Sequence, residues 1–535
     1  RGLGDVYKRQ QITYHTTMGN RVNPENLKRG YLSMNVLFLG PTCMICYKLG
    51  GRIMKMLING SWCDAKSGEV IEILNPSNSE IIDTVPRGRV EDVEEAVQAA
   101  LKGYEINRGI SARERSAYLL KAADLIDVHH DEIRDILIAE NGKTHYWADF
   151  EIDKMAEIIR TLSDRGKDPQ GTTYPMDAMK DCAGQMAMVY RQPRGVVAGI
   201  IPFNFPLEMM AYKLGGALCA GNSVILKLSE DCPLACLKVG NLFLEAGVPK
   251  EAFHMVTGYG EEAGNALVDH PDVPMITFTG SSTVGKKIME RSAKYLKHLS
   301  LELGGNDPVI VCRDADLNLV AEGLIKGRFT VGNGQACVAD KRLIVDENVV
   351  DALAELCTET AKSMKVGNPS DPSVDVGPVI HKKAADRIEA MIADAVSKGA
   401  RLHCGGRWEG NFIKPTVITG VTEDMQLYSE ECFGPVVTII ACKDEKDGLR
   451  IANDSRYGLQ AAVYSRDVTK ALRLADMLEV GGVVINGSSC FRPGSVPYMP
   501  RKESGIGTDN MYNCYDEMTT GKAVVICDAI GRFHS

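Results

Sequence analysis

A thiol in a loop of small residues and a carboxylate inside an apolar run are the two groups of this chain best suited to covalent chemistry. The thiol is Cys337, in "GNGQACVAD" at 332–340. It is one of 16 cysteines, and most cysteines are small apolar core residues that do no chemistry. Its neighbours Ala336 and Val338 are small and leave room for a substrate. An inert buried thiol fits the same neighbours, and counting alone favours it. The carboxylate is Glu302, in "HLSLELGGNDPVIV". A carboxylate there is costly unless it is paired or working. Burial would raise its pKa and make it a usable base near neutral pH. A partly exposed glutamate at a strand end fits equally well. Asn204 stands among aromatic and proline residues in "IIPFNFPLEMM". An amide held in an apolar frame suits an oxyanion hole, and a turn asparagine is the plainer alternative.

Two further stretches suit a phosphate-bearing ligand. In "MITFTGSSTVGKKI" a strand ends, Gly280 turns the chain and Ser281 caps a helix. A helix N-terminus after a glycine turn attracts phosphate. Only Gly280 and Gly285 remain of a GxGxxG pattern, so an ordinary capped helix explains it as well. In "SVILKLSED" a strand ends on Lys227 with Glu230 three residues on. An acidic group there can accept hydrogen bonds from a ribose diol. A solvated Lys/Glu pair is the simpler account of that motif taken alone.

These residues sit at the ends of predicted strands. Between 194 and 303 the runs "GVVAGII", "SVILKL", "FHMVTG", "MITFTG" and "LSLELGG" alternate with helical segments. That alternation predicts a parallel sheet with helices on both faces. Ligands bind beyond the carboxyl ends of such strands, which singles out Asn204, Lys227, Gly258, Gly280 and Glu302. Upstream, "INGSWCDAKSGEVIEILNPSNSEIIDTVP" predicts a hairpin or meander. Val90, Val93, Val97, Ala100, Leu101 and Tyr104 share one helical face. A long helical stretch runs from Ser111 to Gly142. Residues 304 to about 500 predict a second α/β domain, and "TGKAVVICDAI" is a lone strand that needs a partner, a second subunit being one.

The 535 residues are 44% hydrophobic and 24% charged, with net charge −9. That is globular composition. No Lys/Arg run forms a nucleic-acid stripe. The cysteines are too sparse for a disulfide scaffold, and without a convincing secretory signal they predict reduced thiols in a cytoplasmic protein. The first fifty or so residues lack periodicity, and "RGLGDVYKRQ" resembles translated adapter sequence. The expectation is a non-native or disordered extension over 1–53, with the natural start at Met54 or Met56. Its apolar run is too short to span a bilayer. Its Cys43–Cys46 pair, lacking a second pair, is weak evidence for a metal.

Six stretches, "PFNFP", "KLSE", "FTGS", "LELGG", "GQAC" and "EECFGPV", occur in one order, and "ESGIG" follows. Together they resemble the aldehyde dehydrogenase superfamily over roughly residues 56–530. The resemblance implies an α/β fold: a Rossmann-like parallel-sheet cofactor domain (54–172 and 194–303), an α/β catalytic domain (304–505) and a small β oligomerisation flap (173–193 and 515–535). It implies NAD-dependent oxidation of an aldehyde to an acid by a homodimer or homotetramer, with neither nucleic acid, membrane nor metal involved. Cys337 matches the nucleophile, Glu302 the general base, Asn204 the oxyanion donor and Lys213 a lysine associated with proton relay. Lys227 and Glu230 match the adenosine-ribose site, Gly280 and Ser281 the pyrophosphate turn, and Glu431 and Phe433 the nicotinamide site. A carboxylate at Glu230 would repel a 2′-phosphate, which predicts NAD over NADP. Glu302 favours water over CoA as acyl acceptor; a CoA-acylating enzyme and a non-catalytic homologue are the alternatives. Two departures stand out. Met499 and Pro500 replace the family's Gly-Gly pair. Val331 stands where succinate-semialdehyde members tend to carry Arg. Arg492 and Cys490 fall near the expected substrate mouth; Arg492 there could meet an anionic substrate, and a surface arginine is the plainer reading.

Overall fold

Val- and Ile-rich runs bounded by Gly and Pro become strands buried on both faces, as parallel sheets require. The computed structural model describes residues 54–168, 170–508 and 510–527. The expectations for residues 1–53, including Cys43 and Cys46, and for the flap beyond 527 lie outside the described residues. Two hairpins come first: β1 (Met56–Ile58) with β2 (Ser61–Cys63), and β3 (Val70–Leu74) with β4 (Ile81–Pro86). Four helices follow, α1 (Val90–Gly109), α2 (Ala112–Val128), α3 (His130–Asn141) and α4 (His145–Arg165). α1 buries Val93, Ala96, Val97 and Ala100, whereas Val90, expected on that face, is 61% exposed. The stretch expected as one helix from Ser111 is two. A Ser111/Glu114 capping box starts α2, the chain leaves helical geometry at His129, and Gly142 closes α3 in the left-handed region at φ 75°.

After β5 (Thr172–Tyr174) and β6 (Met186–Pro193) come five strands: β7 (Val196–Ile200), β8 (Ser223–Lys227), β9 (Phe253–Val256), β10 (Met275–Thr279) and β11 (His298–Glu302). They pair in parallel in the order β9-β8-β7-β10-β11. The order reverses between β7 and β10, and at such a switch point the chains leaving adjacent strands diverge and open a crevice. The chain leaving β7 leads to Asn204, and the chain leaving β10 leads to Gly280. β1 extends one edge of this sheet in antiparallel fashion.

The second sheet contains β12 (Pro308–Val311), β13 (Arg342–Asp346), β14 (Arg401–Glu409), β15 (Phe412–Thr419), β16 (Val436–Cys442), β18 (Gln460–Tyr464) and β19 (Gly482–Ile485), with β17 (Tyr457–Gly458) beside it in the chain. Its order is β14-β15-β16-β13-β12-β18-β19, parallel except for β14. Alternate residues feed separate cores: Ile310 and Ile344 enter one, Val309, Val311, Leu343 and Val345 the other. The chain then returns through β20 (Arg501–Lys502) and β21 (Gly505–Ile506), and β21 joins the first sheet beside β11. The tail strand β22 (Thr519–Ile526) finds its partner inside the chain, along the full length of β6, with β5 on the other side. β22 remains an edge strand of this three-stranded sheet, so β6 satisfies one side of its backbone.

Candidate active site

Beyond the carboxyl ends of β7, β8 and β10 lies a cavity of about 1440 Å³. Its lining includes Asn204, Lys227, Glu230, Gly280, Ser281, Cys337, Glu431 and Phe433. Thus eight of the residues singled out in the sequence meet in one space. Lys227 Nζ donates to Glu230 Oε2 at 2.6 Å. Burial alone would raise the Glu230 carboxyl, but the Lys227 charge and hydrogen bond outweigh it and hold it below the usual range. Ser281 caps the helix Ser282–Ser292 by accepting from Val284 N. That N-terminus lines the cavity. Gly280 N donates to Glu302 O at 3.0 Å, so the turn is stitched to the neighbouring strand. A Cβ on Gly280 would come within 2.4 Å of the Phe278 ring. Phe203 and Phe433 pack edge to face, 6.1 Å between centroids. A charged carboxylate, a helix N-terminus and an aromatic wall in one cavity fit the diol, diphosphate and flat ring of a dinucleotide. Although Tyr259 and Gly260, which follow it, line the cavity, Gly258 itself does not. A Cβ there would meet Gly88 O at 2.5 Å, so it serves packing at its strand end.

The Cys337 loop is held in an unusual backbone path. Gly332, Asn333 and Gly334 all lie in the left-handed region, at φ 50°, 57° and 78°. Two glycines adopt this freely; the asparagine does not. The Asn333 side chain compensates by donating to Gly142 O and Pro378 O and accepting from Gly377 N, all at 2.8–2.9 Å. A Cβ on Gly334 would come within 2.3 Å of the Gly434 backbone. The motif "GNG" is thus a requirement of the turn that presents Cys337. Cys337 Sγ lies 3.5 Å from Tyr498 Oη. Burial, and then the charge of Glu302, push the thiol up to about 11, while the Tyr498 hydrogen bond and Lys341 act the other way. Without further help the resting group is a thiol.

Asn204 donates from Nδ2 to Gln335 O at 3.0 Å, two residues before Cys337. An amide NH₂ carries two donors, and anchoring one on the nucleophile loop sets the direction of the other. Glu302, at the end of β11, is buried, 5% exposed. Arg492 Nη2 lies 3.9 Å from its Oε1. The sequence reading of Arg492 as a surface arginine is corrected here. Its side chain is largely buried, with the guanidinium 3.9 Å from the Tyr498 ring centre and 5.6 Å from that of Tyr212. Lys213 donates to Thr279 Oγ1 at 2.8 Å, and Thr279 is the register partner of Glu302 on the adjacent strand. Lys213 occupies a π-turn, Ala211–Gly215, inside the helical stretch 206–220. Such single-turn distortions gather at functional sites.

Several site residues escaped sequence reasoning. Lys341 donates to Cys337 O at 2.5 Å and lies 3.4 Å from Glu431 Oε1, which also accepts from Gly305 N. One buried ammonium thereby joins the nucleophile's own carbonyl to the cofactor-side glutamate. Lys143 donates to Asn204 O at 2.7 Å, and its ion-pair partner Glu151 accepts from Leu207 N and Glu208 N. Arg328 donates to Val436 O and Cys432 O, tying down the segment that carries Glu431 and Phe433. The one available signal was a lone charge beside apolar or small residues, and it names no partner.

Comparison with known proteins agrees with this geometry. The family model described as "Aldehyde dehydrogenase family" matches residues 62–524. A succinate-semialdehyde dehydrogenase [NADP(+)] of Escherichia coli is 37% identical, over 85% of this chain and 93% of its own length. A 3-sulfolactaldehyde dehydrogenase of Priestia aryabhattai is 36% identical, over 88% of this chain and 97% of its own. A solved structure, an E. coli NADP-dependent enzyme, superposes with TM-score 0.86 at 36% identity, covering 89% of this chain and 98% of that one.

Proposed function

This chain belongs to the aldehyde dehydrogenase family and oxidises an aldehyde to a carboxylic acid with NAD(P), and we propose that Cys337 is its nucleophile, Glu302 its base and Asn204 its oxyanion donor. The observation that carries this assignment is the meeting of Asn204 and Cys337 with Lys227, Glu230, Gly280, Glu431 and Phe433 in one cavity, with Glu302 buried at the end of β11. An aldehyde has no leaving group, so hydride departs only from a tetrahedral adduct. Cys337 adds to the carbonyl carbon. Asn204 and the Cys337 backbone N–H hold the oxyanion. The bound dinucleotide supplies the hydride acceptor. What remains on Cys337 is a thioester, and Glu302 takes a proton from the water that releases the acid. Lys213 acts on this step through Thr279, and Lys341 keeps the nucleophile loop in register with Glu431.

NAD is the preferred cofactor in this reading, because Glu230 is held in its charged form by Lys227 and lines the cavity at the position the family resemblance gives to the adenosine ribose. Lys287, Arg291 and Lys294 also line the cavity and would welcome a 2′-phosphate, though Arg291 is paired with Asp269. Glu230→Gln should raise kcat/KM for NADP by about tenfold, the scale of one removed charge–charge repulsion. Equal kcat/KM values for NAD and NADP in the wild type would refute the preference. The protein acts in the cytoplasm as a homodimer or homotetramer, with the flap of β5, β6 and β22 at the subunit contact. Among the described residues no helix is long and apolar enough to cross a membrane. Turnover of a panel of short aldehydes, followed by NAD(P)H absorbance and product analysis, tests the central assignment. Free acid is expected, and Cys337→Ala should be inactive; acyl-CoA as product, or an active Cys337→Ala, would overturn it.

A further inference from the structure

The hydroxyl of Tyr498 is the polar group the structure sets against the nucleophile's sulfur, 3.5 Å from Cys337 Sγ. It arrives from a segment that departs from the family pattern, immediately before Met499 and Pro500. Tyr498 is buried, 2% exposed. The Arg492 guanidinium lies over its ring at 3.9 Å from the centroid, and the same guanidinium is 3.9 Å from Glu302 Oε1. Gly505 holds the segment close: a Cβ there would be 2.0 Å from Leu301 O and 3.0 Å from Pro500 Cγ. Met499 and Pro500 therefore belong to a tight return that brings Tyr498 against Cys337.

We infer that Tyr498 is a further catalytic residue, donating its hydroxyl hydrogen bond to the Cys337 sulfur in the thiolate form, and that Arg492 is a positioning residue that holds the Tyr498 ring beside Glu302. The inference rests on Cys337 as nucleophile. Burial, then the Cys337 and Glu302 charges, keep the Tyr498 hydroxyl protonated, with Arg492 opposing them; it is a donor across the working pH range. When Cys337 ionises, its S–H bond breaks and the proton passes to water. The Tyr498 O–H bond stays intact. A hydrogen bond to a charged acceptor is about twice as strong as one to a neutral acceptor, so the contact favours thiolate over thiol. Once the S–C bond forms, the sulfur loses its charge and the contact weakens.

Site-resolved alkylation tests this. Wild type and Tyr498→Phe are treated with iodoacetamide at pH 7.5, and the peptide holding Cys337 is followed by mass spectrometry. Loss of the donor should cut the thiolate fraction about tenfold, while the more basic sulfur becomes about threefold more nucleophilic, so alkylation should slow about three- to fourfold. A merely structural loosening would expose Cys337 and speed its alkylation. An unchanged or faster rate in Tyr498→Phe would overturn the inference. Arg492→Lys, which keeps the charge but loses the flat face for stacking, should slow alkylation in the same direction, by less. Cys404, remote and half-buried, should react alike in all three proteins; if it does not, Tyr498→Phe is compared again with Tyr498→Leu, which also lacks a donor, and retention of wild-type reactivity there would equally overturn the inference. Alkylation needs no turnover. An inactive Cys337→Ala with unaltered Tyr498→Phe reactivity would sink this inference alone, whereas an active Cys337→Ala would sink the nucleophile assignment.

Discussion

The cofactor side of the cavity and the nucleophile side are built by different means. On the cofactor side, Lys227 and Gly280 stand at or just past the carboxyl ends of β8 and β10, and parallel pairing through β7 sets their spacing. On the nucleophile side, position comes from buried charges reaching across the fold. Lys143 and Glu151 grip the Asn204 segment, Lys341 grips Cys337 O, and Arg492 faces Glu302. Regular backbone can place a residue cheaply. A loop in left-handed geometry has no such support, and side chains must supply it.

The contrast can be broken at its strongest point first. Lys143→Met would strand the Glu151 carboxylate, which is fully buried. Removing one partner of a buried pair costs about 3–5 kcal/mol, and a fall of that size should appear in denaturant unfolding, together with a loss of aldehyde oxidation. Glu151→Leu in the same chain should recover part of the stability. Next in size, Asn204→Ala should lower kcat by about 10²–10³, as for removal of an oxyanion donor, with little change in dinucleotide affinity measured by fluorescence titration. A smaller effect concerns pH. With its pKa pushed up to about 11, Cys337 is protonated at neutral pH. In cofactor-free protein its alkylation rate should climb nearly tenfold per pH unit from 8 to 10. A plateau below pH 9 would mean that the thiol is less buried, or better paired, than the structure has it.

The same contrast explains what could be read from the sequence. Strand ends follow from a run of β-branched residues and the turn after it, so the places of Lys227 and Gly280 in the fold were legible from spacing, whereas a cofactor role for them, and Glu431 and Phe433 altogether, came only with the family resemblance. Gly258 shows the limit: it follows a strand yet packs against Gly88, and the residues after it, Tyr259 and Gly260, are the ones that line the cavity. Arg492 shows another. A charge among Gly, Ser and Pro reads as surface, and its burial depends on Tyr498 later in the same loop and on Tyr212 and Glu302 from two other parts of the chain. The tail strand called for a partner; spacing alone does not name β6, more than 300 residues earlier, and only the family resemblance groups the two stretches in one flap. The π-turn under Lys213 left no trace in the periodicity. The small residues Ala336 and Val338 suggest room for a substrate; the "GNG" ahead of them, with three left-handed residues, is a demand of the backbone that the spacing did not announce.

The account turns on a thioester at Cys337 that Glu302 discharges. Glu302→Gln, mixed rapidly with NAD and a short aldehyde, should release NADH in a burst approaching one per subunit and then almost stop, with intact mass and peptide mapping placing one acyl group on Cys337. Continued steady turnover without a burst, or an acyl group on a different cysteine, would contradict it.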